Sequence, residues 1–300
     1  MRRSLGGEDD SRTLDALYSY GTALHAAGNI ADARPVFDEW MTRSFRRPTD
    51  TTFERSAQLE NAAEILTYDG ELGAAERLLR EALQIKRALF GDNHPIVAQT
   101  RSSLADVFDK TRRLAEAEAE IQVAIGIFRS AYPEGDVRTS RLLRQYAVIL
   151  DRQKRYADAE APLREALDIQ RRLVGNESFE AAMTELTLAM ALARIRKIEE
   201  AELLARHGHL VLSQQFGPDN SMVYFAKMVM GDAVSRLGRF AEAESLLLSA
   251  WDRFRDPKPI TRGWHVRTLD ALIRLYEAQG RDEEAARYRA LRPPDPTISR

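Results

Sequence analysis

The chain contains no cysteine in its 300 residues. That excludes disulfides, thiolate metal sites and thiol nucleophiles, and it leaves the compartment open. A surplus of one charge is also missing. Its 44 Lys and Arg stand against 46 Asp and Glu, a net charge of −2, so no global field favours DNA, RNA or an anionic membrane. Long hydrophobic runs are absent as well. The longest nearly apolar stretch is LTLAMALA at 186–193, far short of the roughly 20 residues that cross a bilayer. The N-terminal MRRSLGGEDDSR has arginines but no apolar core, so it does not read as a secretory signal. A cytoplasmic chain with no membrane partner is expected. No Walker loop, G-x-S-x-G or H-E-x-x-H occurs, and no phosphate cradle, nucleophile elbow or zinc helix follows. His207 and His209 are two apart on a predicted helix and face different ways. His25, His94 and His265 lie in other parts of the chain. No metal, no cofactor and no catalytic residue is expected.

What the chain does have is a repeat. Stepping by forty-two residues from Ala75 lands on Ala33, Ala117, Ala159, Ala201, Ala243 and Ala285, seven alanines in register. Five residues before each lies a turn, at positions 28, 70, 112, 154, 196, 238 and 280. Glycine holds four of these and suits the left-handed position that ends a helix. Arg112, Lys154 and Arg196 hold the others. Before each turn, apolar residues recur at four-residue spacing, as in Leu104 and Phe108 or Leu188 and Leu192, which is the stripe of a helix. A small residue sits beside it: Gly21, Ala63, Ala105, Ala147, Ala189 and Gly231, with Ile273 breaking the column. After the turn a second helix carries the marked alanine. Glu76, Glu118, Glu160, Glu202 and Glu244 follow that alanine, where negative charge suits the start of a helix. Connectors such as YPEGD, VGNES and FGPDNS supply Asp, Asn and Ser to cap the next helix. No segment alternates with period two over a useful length, so strands are not expected.

A helical pair with glycine at the turn, a small residue before it and alanine after it resembles the tetratricopeptide repeat. The forty-two-residue period and the connector FGDNHP at 90–95 resemble the kinesin-light-chain subclass. Gly91, Asp92, His94 and Pro95 match that linker with Asn93 inserted, and Asn61 matches a helix asparagine of the subclass. The resemblance implies an all-α fold, a right-handed α-solenoid of seven antiparallel helix pairs. The expected layout is a disordered leader at 1–11, a single array at 12–292 and a disordered tail at 293–300. The polar last helix, DEEAARYRALR, reads as a cap on the array.

The resemblance also places the first helix of each pair on a concave groove and names the residues facing it. In repeat four these are Arg141, Arg144, Gln145, Val148, Asp151 and Arg152; Asn61 takes a similar place in repeat two. In repeats five and six they are Met183, Leu186, Met190, Phe225, Met228, Val229 and Asp232. An exposed Met/Phe surface there is an adaptable partner site, with Arg141 and Arg144 fixing a carboxylate or acidic side chain. The alternative is that tight curvature buries these residues against neighbouring helices, and exposure of Met228 and Phe225 separates the two. A column of Lys110, Arg152, Arg194 and Arg236 reads as cations at helix ends rather than a basic ladder. The expected function is a non-catalytic scaffold, monomeric, that holds a protein or peptide ligand in the groove. One rival is a regulatory sensor of a peptide signal, of its own tail or of a separate kinase. Another is an enzyme on the same scaffold. The interleaved Asp106, Asp109, Asp151 and Asp232 argue against nucleic acid.

Overall fold

The structure is a computed structural model and describes residues 11–26, 30–44, 51–256 and 261–293. The expected turn at Gly28, nearly all of the leader and nearly all of the tail lie outside these residues. The described residues form fourteen helices and no strand. The chain divides into two compact units, Met1–Arg113 and Leu114–Arg300.

The first unit holds α1 (Ser11–Ala26), α2 (Ile30–Ser44), α3 (Phe53–Asp69), α4 (Leu72–Phe90) and α5 (Pro95–Lys110). Here α1 packs on α2, α3 on α4, and α4 on α5. The second unit holds α6 (Leu114–Ala131), α7 (Val137–Arg152), α8 (Glu160–Val174), α9 (Phe179–Arg194) and α10 (Ile198–Phe216), followed by α11 (Ser221–Arg236), α12 (Phe240–Phe254), α13 (Arg262–Ala278) and α14 (Asp282–Ala290). Its helices pack in consecutive pairs, and α7, α9, α11 and α13 also touch in sequence. Each unit is an all-α solenoid, because no helix pair can bury its apolar stripes without a neighbour.

Local chemistry explains the boundaries. Asp136, Ser178 and Asn220 precede α7, α9 and α11, and their side chains accept from the backbone N–H of Arg138, Ala181 and Met222. That satisfies donors which the first helical turn leaves free. At the turns, Gly70, Gly238 and Gly280 take φ of 86°, 77° and 68°, and Arg112, Lys154 and Arg196 take 63°, 62° and 66°. The left-handed residue lets the next N–H reach back over the helix end. Arg113 N donates to Phe108 O at 2.9 Å, Arg155 N to Leu150 O at 2.9 Å and Lys197 N to Leu192 O at 3.0 Å, the bond that closes a Schellman turn.

That bond fixes the residue after the turn, and its side chain then joins two repeats. Arg113 pairs with Glu76 at 2.6 Å, Arg155 with Glu118 at 2.8 Å, Lys197 with Glu160 at 2.7 Å, Arg239 with Glu202 at 2.5 Å and Arg281 with Glu244 at 3.0 Å. The glutamate column does more than answer the helix dipole, because every member holds the cation of the following repeat. The core is the alanine column. Ala33, Ala75, Ala117, Ala159, Ala201, Ala243 and Ala285 are all buried, as are Ala63, Ala105, Ala147 and Ala189 on the first helices. Gly231 is tighter still, since a Cβ there would stand 2.8 Å from Leu247 Cγ. No helix among the described residues is long and apolar enough to cross a membrane.

Candidate partner-binding face of the second unit

The expected Met/Phe surface is not a surface. Phe225 and Met228 are 4% and 3% exposed, and Met183 and Leu186 are buried too. The reason lies in α13. Its Trp264 stacks on Phe225 with ring centroids 5.2 Å apart, and α13 packs on α11 along the face that was expected to be open. Leu186 turns the other way, towards α10, where its Cγ would lie 3.1 Å from a Cβ placed on Gly208. Tight packing of successive first helices wins over exposure, as apolar area removed from water favours. Met190 remains half-buried at the edge.

A small cleft open to solvent, with room for about 30 Å³, lies between α9, α11 and α13. Met190, Met228, Val229 and Ala271 form its apolar side, while Arg194, Asp232, Arg267, Asp270 and Arg274 supply charge. Arg274 donates to Asp232 at 2.8 Å, and Arg236 donates to the other oxygen of that carboxylate at 3.1 Å. Burial raises the Asp232 pKa, and the two guanidinium groups more than reverse this, so it stays below the usual range. Arg267 reaches Asp151 of α7 at 2.9 Å and donates to Met190 Sδ at 3.7 Å. The cation column is similarly occupied: Lys110 pairs with Asp106, Arg236 with Asp232, and Arg194 lies 5.3 Å from the centre of the Tyr156 ring.

The arginines of α7 differ from one another. Arg141 is exposed and donates to Glu180 at 2.8 Å. Arg144 is half-buried, its Nε is shielded from solvent without a hydrogen-bond partner, and it forms no ion pair among the described residues. Burial, aided by repulsion from Arg141, pulls its pKa below that of an ordinary arginine, and Glu180 only partly offsets this. Gln145 is half-buried beside it, and Asn61 is exposed on α3 of the first unit.

Outside this face, Glu185 is fully buried. It accepts from Arg171 at 2.9 Å, and its second oxygen lies 2.6 Å from His207 Nδ1. Asn176 Nδ2 lies 3.1 Å from His207 Nε2. No grouping of three or more metal-binding side chains occurs among the described residues. The pair Glu185 and His207 was missed from sequence, since an acid on one helix and a histidine on the next show no spacing rule.

Models of the tetratricopeptide repeat match residues 55–130 and 142–180. No curated protein sequence matches the chain. Among solved structures, the apo form of RapI is similar with a TM-score of 0.72, 13% identity, and coverage of 93% of this chain and 98% of that one. Aspartyl phosphate phosphatase F from Bacillus subtilis gives 0.70 at 15% identity, covering 92% and 67%. BtubC (BKLC) from P. vanneervenii gives 0.60 at 20% identity, covering 81% and 91%. A putative kinesin light chain with TPR-like repeats is also similar, at 0.57 and 15% identity over 68% of this chain and 96% of that one. At these identities the likeness is one of fold. Two segments of the chain thus match tetratricopeptide repeats, and its fold is an all-α solenoid similar to that of solved repeat proteins, kinesin-light-chain-like repeats among them.

Proposed function

We propose that this chain is a non-catalytic protein-interaction scaffold that holds an acidic segment of a partner on the α7–α9 face, with Arg144 as the anchor. The observation that carries the reading is the state of that guanidinium. It is partly desolvated, its Nε has no acceptor, Arg141 repels it, and the attraction of Glu180 offsets this only in part. A shielded N–H of a charged group without an acceptor is unfavourable in a finished fold. An arriving carboxylate relieves it, and planar guanidinium groups bind carboxylates in two-point geometry. The tetratricopeptide repeats and the neighbouring folds support a binding role. The apolar anchors expected from repeats five and six drop out of the proposal, because those residues are core.

The test begins with a phage-displayed library of random dodecapeptides panned on the intact chain. Selected peptides carry Asp or Glu, and their affinity is read by fluorescence anisotropy. Losing a charged hydrogen-bond partner, as in Arg144→Met, lowers that affinity about ten- to a hundredfold. Peptides without acidic residues, or equal binding to the Arg144→Met chain with its helicity intact, would falsify the assignment.

A further inference from the structure

The ion pair of Arg267 with Asp151 joins residues 116 positions apart. Within the second unit it spans from α13 to α7, past α9 and α11. The register shows how. Asp151 lies three residues before its turn, Met190 six before its own, and Arg267 thirteen before its own. The guanidinium therefore runs diagonally, from the start of α13 over the last part of α9 to the last part of α7. Its side chain is 30% exposed and that of Asp151 is 19% exposed, so this is a seated contact and not a loose surface pair. The same helix holds α11 through Arg274 and Asp232, and stacks Trp264 on Phe225.

We propose that Arg267 is a strut that closes the α7–α13 face by holding Asp151, and that an acidic group entering this face competes with Asp151 for it and releases the closed arrangement. The proposal rests on the reading that the face binds acidic segments. Its chemistry is an exchange of anions. Arg267 has five N–H donors and one carboxylate partner, Asp151. Arg194 lines the same cleft with no carboxylate partner among the described residues. An incoming carboxylate thus finds one guanidinium without a carboxylate beside the strut and, on taking the strut itself, leaves Asp151 to water. Beyond this pair α13 and α7 barely touch directly and are tied through α9 and α11, so its loss loosens the distance between the two helices, whereas the α11–α13 contacts stay. Ligand and closure are linked through one shared cation, and such coupling is reciprocal.

The absence of cysteine makes the measurement direct. Ala161→Cys on α8 and Ala286→Cys on α14 are both exposed positions, and spin labels there report the distance between the helices that pack on α7 and α13. Asp151→Asn and Arg267→Gln are each expected to lengthen and broaden the distribution, and the reversed pair Asp151→Arg with Arg267→Asp to narrow it again. Unchanged distributions in both single variants, with circular dichroism intact, overturn the strut. The second arm uses a fluorescein-labelled hexaglutamate peptide. Asp151→Asn frees Arg267 and tightens its binding about two- to fivefold, while Asp168→Asn, the same charge change at an exposed position on α8, leaves it unaltered. Equal effects of the two substitutions overturn the gating. If hexaglutamate binds none of the chains, the reading of an acid-binding face fails and the gating with it, while the label distances still decide the strut.

Discussion

Replacing Arg144 is expected to make the protein more stable and less able to bind. Arg144→Met keeps an unbranched apolar stem in the same space, so the packing of the arginine methylenes survives. What disappears is a shielded Nε with no acceptor. Leaving such a donor unsatisfied costs about 1–3 kcal/mol. The rest of the guanidinium is only half-buried and keeps part of its hydration, so the lower half of that range applies. Repulsion from Arg141 is relieved, and weak attraction to Glu180 is lost. Those two are exposed or half-buried charges in a high dielectric and contribute only tenths of a kcal/mol. A net gain of about 0.5–1.5 kcal/mol follows, which raises the melting temperature by roughly 1–5 °C for a unit of this size. Calorimetry of the whole chain resolves it, with peptide binding read on the same samples. A melting temperature lowered by Arg144→Met would refute the reasoning. It would mean that the cation already has its partner in the folded chain and is not held in reserve for a ligand.

Three further outcomes are expected. At the left-handed turns, Lys154→Asn and Arg196→Asn place a residue that tolerates φ of 62° and 66°, raising stability by about 1 kcal/mol together; a lower urea midpoint speaks against strain there. Gly231→Ala drives a methyl towards Leu247 and parts α11 from α12, a loss of about 1–3 kcal/mol. Gly126→Ala, with nothing within 4 Å, gains up to about 1 kcal/mol from reduced backbone freedom in the unfolded chain; equal effects at both glycines would show that the contact at Gly231 is not felt. Acid should loosen the junctions between repeats. The hydrogen bond from Lys197 lowers the Glu160 pKa against burial. At Glu118 and Glu202 burial raises the pKa and is outweighed by bonds from Gln153 and Arg155, and from Arg206 and Arg239. Folded values below the unfolded one, about 4.3, give stability that is complete above that pH and lost as pH falls through the folded values. Urea midpoints that stay level from pH 8 to about 5 and fall below are expected; a rise on acidification contradicts the pairing.

The repeat was legible because each of its parts has a local cause. A left-handed turn asks for glycine, a close helix crossing asks for alanine, and both recur at a fixed step. The connectors were legible as cap donors for the same reason, and the structure picks Asp136, Ser178 and Asn220 within them. The ion-pair ladder was written in the sequence just as openly. Arg113, Arg155, Lys197, Arg239 and Arg281 stand one place after successive turns, and each glutamate partner lies 37 positions earlier. Local reasoning assigned those glutamates to the helix dipole, because nothing nearby in sequence pairs with them. The Met/Phe face failed for a different reason. Whether Phe225 meets water depends on where Trp264 comes to rest, and that is set by the curvature of four helices. Curvature is a small rotation accumulated over repeats, and no single repeat encodes it.

The two sides of the second unit are held by different kinds of contact, and this bears on what a ligand can change. On the side of the second helices, the ladder from Glu118 to Arg281 ties every successive junction by the same pair at the same spacing. Such a ladder fixes the step from one repeat to the next, and its members are already paired, so an incoming acid gains little by disturbing it. Among the described residues, the side of the first helices has no periodic pair. Its charged contacts between helices are Arg141 with Glu180, Arg267 with Asp151 and Arg274 with Asp232, and the last two converge on α13. With one edge of the stack pinned at every step and α13 tied to α7 by a single pair, any movement by a bound anion is expected at the Arg267 end. Arg144 lies on α7, the same helix that carries Asp151. An acidic segment held at Arg144 is thus already on the helix that the strut reaches, and a chain running towards the last turn of α7 brings its next acid to Arg267.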